Sequence, residues 1–146
     1  MYPTTKTLLK TSRRAQACIG KIVQKHGVSI AEHPFVMTIK FNDGLTQDEL
    51  SDMIGVDRAL TTRVVQSLEK KGLVRKEPDV KDKRFNHIYA TDLLHQLADK
   101  IVPELLSFND AAMDGISDEE IKQMIDTMQR LGKNISNYIK VLDLKK

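Results

Sequence analysis

The sequence predicts a mainly α fold with a small β wing, and three features of residues 44–91 predict it. Apolar residues recur at three- and four-residue spacing on both sides of a turn at Gly55, so two helices meet there. Gly72 ends the second helix, and two strand-like runs come after it, separated by a charged loop. Helix, turn, helix, strand, loop, strand is the order of a winged helix-turn-helix, a layout that sets one helix into a groove of DNA.

At the amino-terminal end, residues 6–26 read as a helix, because Leu8, Ser12, Ala15, Ile19, Ile22 and His26 lie on one stripe with Leu9 and Val23 beside it. Gly20 inside that helix costs about 1 kcal/mol relative to Ala, which points to close packing there. Ser29 and Glu32 have the spacing of a capping box, with Pro34 tolerated in the first turn. The second helix then runs through Phe35, Val36, Ile39 and Phe41 to the turn Asn42-Asp43-Gly44, and its apolar content makes it the central packing helix.

Thr46 and Glu49 form another capping box and open a short helix, in which Leu50 and Met53 or Ile54 share one face. Met53 to Asp57 is the turn. Asp57 then caps the next helix, where its carboxylate meets free amides at the positive end of the helix dipole. In that helix, residues 58–71, Thr61, Val64, Val65 and Leu68 form the buried stripe. Arg58, Ala59, Thr62, Arg63, Gln66 and Lys70 are left for the outer side. Arg and Gln can read guanine and adenine edges in a major groove, but a solvated amphipathic helix shows the same pattern.

The chain beyond this helix shifts the balance toward DNA. Leu73 to Glu77 is strand-like, Pro78 and Asp79 open a turn, and His87 to Ala90 returns. The tip from Asp79 to Arg84 is charged at five of six positions. From Arg58 to His87 there are nine Lys or Arg against four Asp or Glu, a balance of +5 in a chain whose total is +3. A basic segment on a mildly acidic body is the footprint of a phosphate backbone. Thr46 and Gln47, at the start of the short helix, are assigned to that backbone.

The run from Gly55 to Thr91 resembles the recognition helix and wing of the multiple antibiotic resistance regulator (MarR) family. The family's hallmark is an Asp, one residue, an Arg, then a hydrophobic strand ending in Leu-Thr. Here Asp82, Lys83 and Arg84 are followed by Ile88, Tyr89, Ala90 and Thr91, with Ala90 in place of the usual Leu, and Thr62-Arg63 matches a pair common in the recognition helix. The resemblance implies that Arg84 enters a minor groove while Asp82 orients it, with Lys81 and Lys83 alongside. It also implies a small phenolic or anionic effector, bound between the dimer helices and the DNA-reading lobe, that changes the spacing of the half-sites.

After the wing, Asp92 starts a helix through Leu93, Leu94, Leu97, Ile101 and Leu105, and Pro103 is expected to kink it. The chain changes direction near residues 109–115. Ser117 and Glu120 form a third capping box, and the last helix carries Ile121, Met124, Met128, Leu131, Ile135, Tyr138 and Leu142, a heptad stripe widened by Ile125 and Ile139. Such a stripe suits packing on a partner, so Leu8, Ile19, Leu131, Ile135, Tyr138 and Leu142 are assigned to a homodimer interface.

At 146 residues the chain fits one domain, residues 1–146, with dimerisation helices about 1–27 and 117–144 and the winged segment about 44–91. No apolar run reaches the roughly 18 residues of a membrane span, and MYPTTK lacks the layout of a signal peptide, so a soluble cytoplasmic protein is expected. Four His and one Cys show no ligand spacing, and no phosphate loop, nucleophile motif or catalytic carboxylate pair occurs. No metal, cofactor or enzymatic activity is therefore assigned. Some peroxide-sensing members of the resembled family keep a reactive Cys in the first helix, but Cys18 reads as a packed or interface residue. Met37, Met53, Met113, Met124 and Met128 read as core or hinge fillers. The expected function is a sequence-specific DNA-binding repressor acting on a pseudo-palindromic operator. A winged-helix module that meets an acidic protein surface is the alternative.

Overall fold

Local signals decide most element boundaries in the computed structural model, which describes residues 3–146. In order these are α1 (Pro3–Gln24), α2 (His33–Phe41), β1 (Leu45–Thr46), α3 (Gln47–Ile54), α4 (Arg58–Lys70), β2 (Val74–Pro78), β3 (Asn86–Ala90), α5 (Asp92–Ala112) and α6 (Asp118–Asp143). The chain divides into two compact units, one ending at Phe108 and one spanning Asn109–Lys146.

In the first unit a single core gathers Val23 of α1, Phe35, Val36 and Ile39 of α2, Leu50 of α3, Val65 and Leu68 of α4, Ile88 of β3 and Leu94, Ala98 and Ile101 of α5. Burying each of the large side chains contributes about 1.5–3 kcal/mol. As expected, α2 is central and the α4 stripe of Thr61, Val64, Val65 and Leu68 is buried. Thr61 carries a hydroxyl into that core, where its oxygen lies 2.7 Å from Ser51 Oγ of α3. Whichever hydroxyl accepts can donate onward to a carbonyl of its own helix, Gln47 for Ser51 or Asp57 for Thr61, each at 2.9 Å.

At several positions the structure departs from what the sequence predicts. The first helix is already formed at Pro3, where a proline is tolerated because a first turn needs no amide partner, and it ends at Gln24, before His26. Ser29 and Glu32 do form their reciprocal bonds (3.1 and 3.0 Å), yet α2 starts only at His33. Pro34 has no amide to give Ile30, so the turn closed by the box is not continued as regular helix. A Cβ on Gly20 would meet only Ile30, at an ordinary 3.9 Å, so close packing does not explain that glycine. Phe41 at the end of α2 is 68% exposed, and Leu93 and Met53 also face outward, leaving Ile54 as the inward partner of Leu50.

The sheet has three strands, not two, in the antiparallel order β1-β3-β2, with Leu45 opposite Ile88 and Val74 opposite Ala90. The third, β1, is two residues long and shares Thr46 with the α3 cap, so it has no alternation to read. The helix carrying Pro103 continues to Ala112, and the change of direction falls later than expected, at residues 113–115.

A buried carboxylate ties α4 to the turn before α2. Glu32, 6% exposed, accepts from the hydroxyl of Ser67 (2.7 Å) and the ammonium of Lys71 (2.8 Å), and Lys71 also donates to the carbonyl of Gly27 (2.9 Å). Burial alone would raise this carboxyl, but Lys71, the Ser29 amide and Ser67 outweigh it and hold the group below its ordinary 4.5. A depressed carboxylate adds stability that is present above its ordinary value and lost as pH falls through the folded one. Glu32→Ala is therefore expected to cost about 1–3 kcal/mol at neutral pH, with the deficit shrinking as the solution is acidified below the ordinary carboxylate range. Urea unfolding at several pH values checks this, and a deficit independent of pH would contradict it.

In the second unit α6 opens with the expected capping box, Ser117 Oγ accepting from the Glu120 amide (3.2 Å) and Glu120 from the Ser117 amide (2.8 Å). None of its residues is buried, so Met124 and Met128 are not core fillers. Leu131, Ile135, Tyr138, Ile139 and Leu142 are likewise exposed.

Candidate nucleic-acid interface

Three local devices fix α3 and the start of α4. Gly55 takes the left-handed conformation (φ 79°) that ends α3, and Asp57 Oδ1 accepts from the Leu60 amide at 2.7 Å. Thr46 caps α3, bonded to the amide of Glu49 at 3.2 Å. With the inner stripe buried, Arg58, Ala59, Thr62, Arg63, Gln66 and Lys70 all face outward.

Two of these are held by α3. Thr62 Oγ1 donates to Gln47 Oε1 (3.1 Å), and Arg58 pairs with Asp48 (2.7 Å). The Arg58–Asp48 pair is exposed, so it is weak enough for a phosphate to displace. The side chains of Arg63, Gln66 and Lys70 make no hydrogen bond among the described residues, which leaves their donors for a ligand.

In the hairpin β2–β3, Asp82 grips Arg84 as a fork: Nε donates to Oδ1 (3.0 Å) and Nη2 to Oδ2 (2.7 Å), with the Arg84 amide on Oδ1 as well (3.1 Å). The fork lowers the Asp82 carboxyl and raises the guanidinium, so both stay charged. Arg84 nonetheless remains 85% exposed, and Lys81 and Lys83 point into solvent. A cleft of about 240 Å³ is lined by Thr46, Gln47, Asp48, Arg58, Arg84, Phe85 and Asn86, so the start of α3, the start of α4 and the wing share one surface. This surface presents cations and amide donors.

Sequence reasoning read Asp79 as opening the wing turn but missed its bonds there and the part played by His87. Asp79 receives the amides of Lys81 (2.8 Å) and Asp82 (2.9 Å) and so shapes the wing turn, and its other oxygen meets His87. Asp79 at the head of a charged turn was the only local signal. The residues assigned to a dimer interface divide between the units. Leu8 and Ile19 are half-buried on α1, while Leu131, Ile135, Tyr138 and Leu142 are exposed on α6.

The MarR family profile matches residues 26–84. The HTH-type transcriptional regulator YybA of Bacillus subtilis is 27% identical over 112 residues, 75% of each chain. A MarR protein from Peptoclostridium difficile is 26% identical and superposes with a TM-score of 0.86 over 94% of this chain and 90% of its own. A Listeria monocytogenes MarR-family regulator crystallised with a 26mer DNA reaches 0.87 at 23% identity, covering 94% and 91%. CouR from Rhodococcus jostii, bound to p-coumaroyl-CoA, reaches 0.81 at 22% identity, covering 88% and 91%.

Proposed function

We propose that the chain is a MarR-family transcription regulator that binds a pseudo-palindromic operator as a homodimer, a reading supported by the family profile over residues 26–84 and by the similar regulators. The observation that carries this is the outward face of α4, with Arg63, Gln66 and Lys70 unengaged among the described residues, on the same unit as a wing whose Arg84 is aimed by Asp82. In this reading α4 reads base edges in the major groove, Arg84 with Lys81 and Lys83 enters the adjacent minor groove, and Thr46 and Gln47 meet the phosphate backbone. The Listeria neighbour in complex with DNA supports it.

Residues 1–146 act as one MarR-like domain, in which residues 44–91 contact DNA and α1 and α6 join two copies. A repressor released by a small phenolic or anionic molecule is the form of regulation proposed, supported by the p-coumaroyl-CoA held by CouR. The relatives are named as regulators rather than enzymes, and no catalytic, cofactor or metal residue is assigned. No described helix is long and apolar enough to cross a membrane, and a role on the genome puts this regulator in the cytoplasm.

Arg84→Ala is expected to weaken operator binding and to reduce the slope of log K against log salt by about 1, because a cation in the groove also displaces counterions. Asp82→Asn should do the same more mildly, by loosening the guanidinium. Anisotropy titrations between about 50 and 200 mM salt measure both effects. Binding by the intact protein that ignores salt would refute the proposal and favour a protein partner for the basic face.

A further inference from the structure

His87 sits on β3, the middle strand, opposite Thr46 of β1 on one side and Glu77 of β2 on the other. Both of its ring nitrogens face oxygens. Nδ1 lies 2.7 Å from the carbonyl of Gly44, and Nε2 lies 2.7 Å from Oδ2 of Asp79. Neither oxygen has a proton to give. The carbonyl only accepts, and the Asp79 carboxyl is pulled down to about 2 by His87 and by the amides of Asp82 and Lys81 on its other oxygen, so it stays ionised. A neutral imidazole has one N–H and one lone pair, so either tautomer would set a lone pair against an oxygen at 2.7 Å. The imidazolium alone donates to both.

From this geometry we infer that His87 in its protonated form is a positioning residue for the wing, and that operator binding by this chain is coupled to holding that proton. The connection to DNA runs through Asp79. Its carboxylate fixes the amides of Lys81 and Asp82, its own amide donates to the carbonyl of Phe85 (2.9 Å), and Asp82 then grips Arg84. Deprotonation removes one of the two bonds that tie this turn, through the ring, to the segment before β1, and Arg84 loses part of its support.

The charges that act on the ring come from Asp79 and Glu49, and Glu77 nearby is paired with Arg75. Asp79 comes from the hairpin loop, Glu49 from α3 and Glu77 from the facing position on β2, while Asp43, in the loop before β1, is bonded to the Ala90 amide (3.1 Å). The hydrogen bond to Asp79, then that to Gly44, and the charges of Asp79 and Glu49 raise the proton affinity of the ring above its ordinary value near 6.5. A raised histidine contributes fully below its ordinary value, and the contribution is lost as pH rises through the raised one. Affinity for operator therefore falls toward alkaline pH.

The inference rests on the DNA-binding reading, and the test separates the two. A duplex selected from random DNA by the intact protein at about pH 6 is titrated at fixed ionic strength from about pH 6 to about pH 8.5, with wild type and with Asp79→Asn. The amide of Asn keeps an oxygen for the two backbone amides and turns an NH₂ toward neutral His87, so the proton is no longer required. Wild type is expected to lose affinity by roughly three- to tenfold between about pH 6 and pH 8.5, one linked proton being worth at most about tenfold per pH unit. For Asp79→Asn the same ratio should fall close to one. In parallel, ¹⁵N NMR of the histidine rings in DNA-free wild type should show both His87 nitrogens protonated at about pH 6, with a midpoint above the ordinary value. A neutral ring at that pH, or an equal pH dependence in the two proteins, would overturn the inference. Failure to select or bind any DNA at any pH would overturn the regulator reading and the coupling with it, even if the ring proved protonated.

Discussion

Leu131→Asp or Ile135→Asp in α6 is expected to give monomers or insoluble protein and to lower operator affinity by on the order of 100-fold or more, although neither residue is assigned to DNA. A recognition helix of 13 residues covers only a few base pairs, so site specificity needs two half-sites about one helical turn apart and hence two copies of α4. The chain must supply that two-fold contact itself. Its α6 has the means, because Met124, Ile125, Met128, Leu131, Ile135, Tyr138, Ile139 and Leu142 are all exposed along one helix in which no residue is buried. An apolar surface of that extent is a liability on a monomer and an interface on a dimer. A carboxylate set among these side chains would be desolvated without a partner, which an interface does not tolerate. Light scattering on the intact protein should give twice the 16.6 kDa chain mass. A monomer at micromolar concentration that still binds a single half-site tightly would refute the arrangement.

Arg63→Ala and Gln66→Ala are each expected to lower affinity for the cognate operator by about 1–3 kcal/mol while changing random-sequence affinity far less. The reason is their freedom. Both side chains are exposed, and neither is engaged by a hydrogen bond among the described residues, whereas Thr62 and Arg58 on the same helix are held by Gln47 and Asp48. Truncating them removes donors aimed outward and leaves the buried stripe of α4 intact, so thermal stability should stay within about 0.5 kcal/mol of wild type. Parallel titrations on operator and random duplexes decide the matter. Equal losses on the two would mean that these residues touch phosphate only.

The parts of the fold that were legible in the sequence are those set by neighbours in the chain. Thr46 with Glu49 and Ser117 with Glu120 are three residues apart, and their caps formed as read. The α4 stripe was legible because burial on one face repeats every few residues, whereas the Asp82–Arg84 pairing was expected only from the resemblance of the wing to a known family. Phe41 and Leu93 were misjudged at helix ends, where the last turn can face either way. The strand β1 escaped because two residues carry no period and its pairing with Ile88 lies 43 positions away along the chain. For the same reason Glu32 was legible only as the capping partner of Ser29, not as the partner of Ser67 and Lys71, 35 and 39 residues distant, and nothing linked His87 with Gly44.

The contact between Ser51 and Thr61 also bears on how a regulator of this kind changes its target over generations. The hydroxyl pair, the Asp57 cap, the Glu32 anchor and the buried stripe all hold α4 from its inner side or its ends. Positions 59, 63, 66 and 70 on the outer side take no part in this. In the proposed DNA-binding reading, stability and sequence preference therefore reside in separate sets of side chains. A duplicated copy can drift at those four positions and settle on a different operator without first passing through a poorly folded intermediate, whereas a substitution at Ser51 or Thr61 leaves one hydroxyl without its partner and penalises every lineage that carries it.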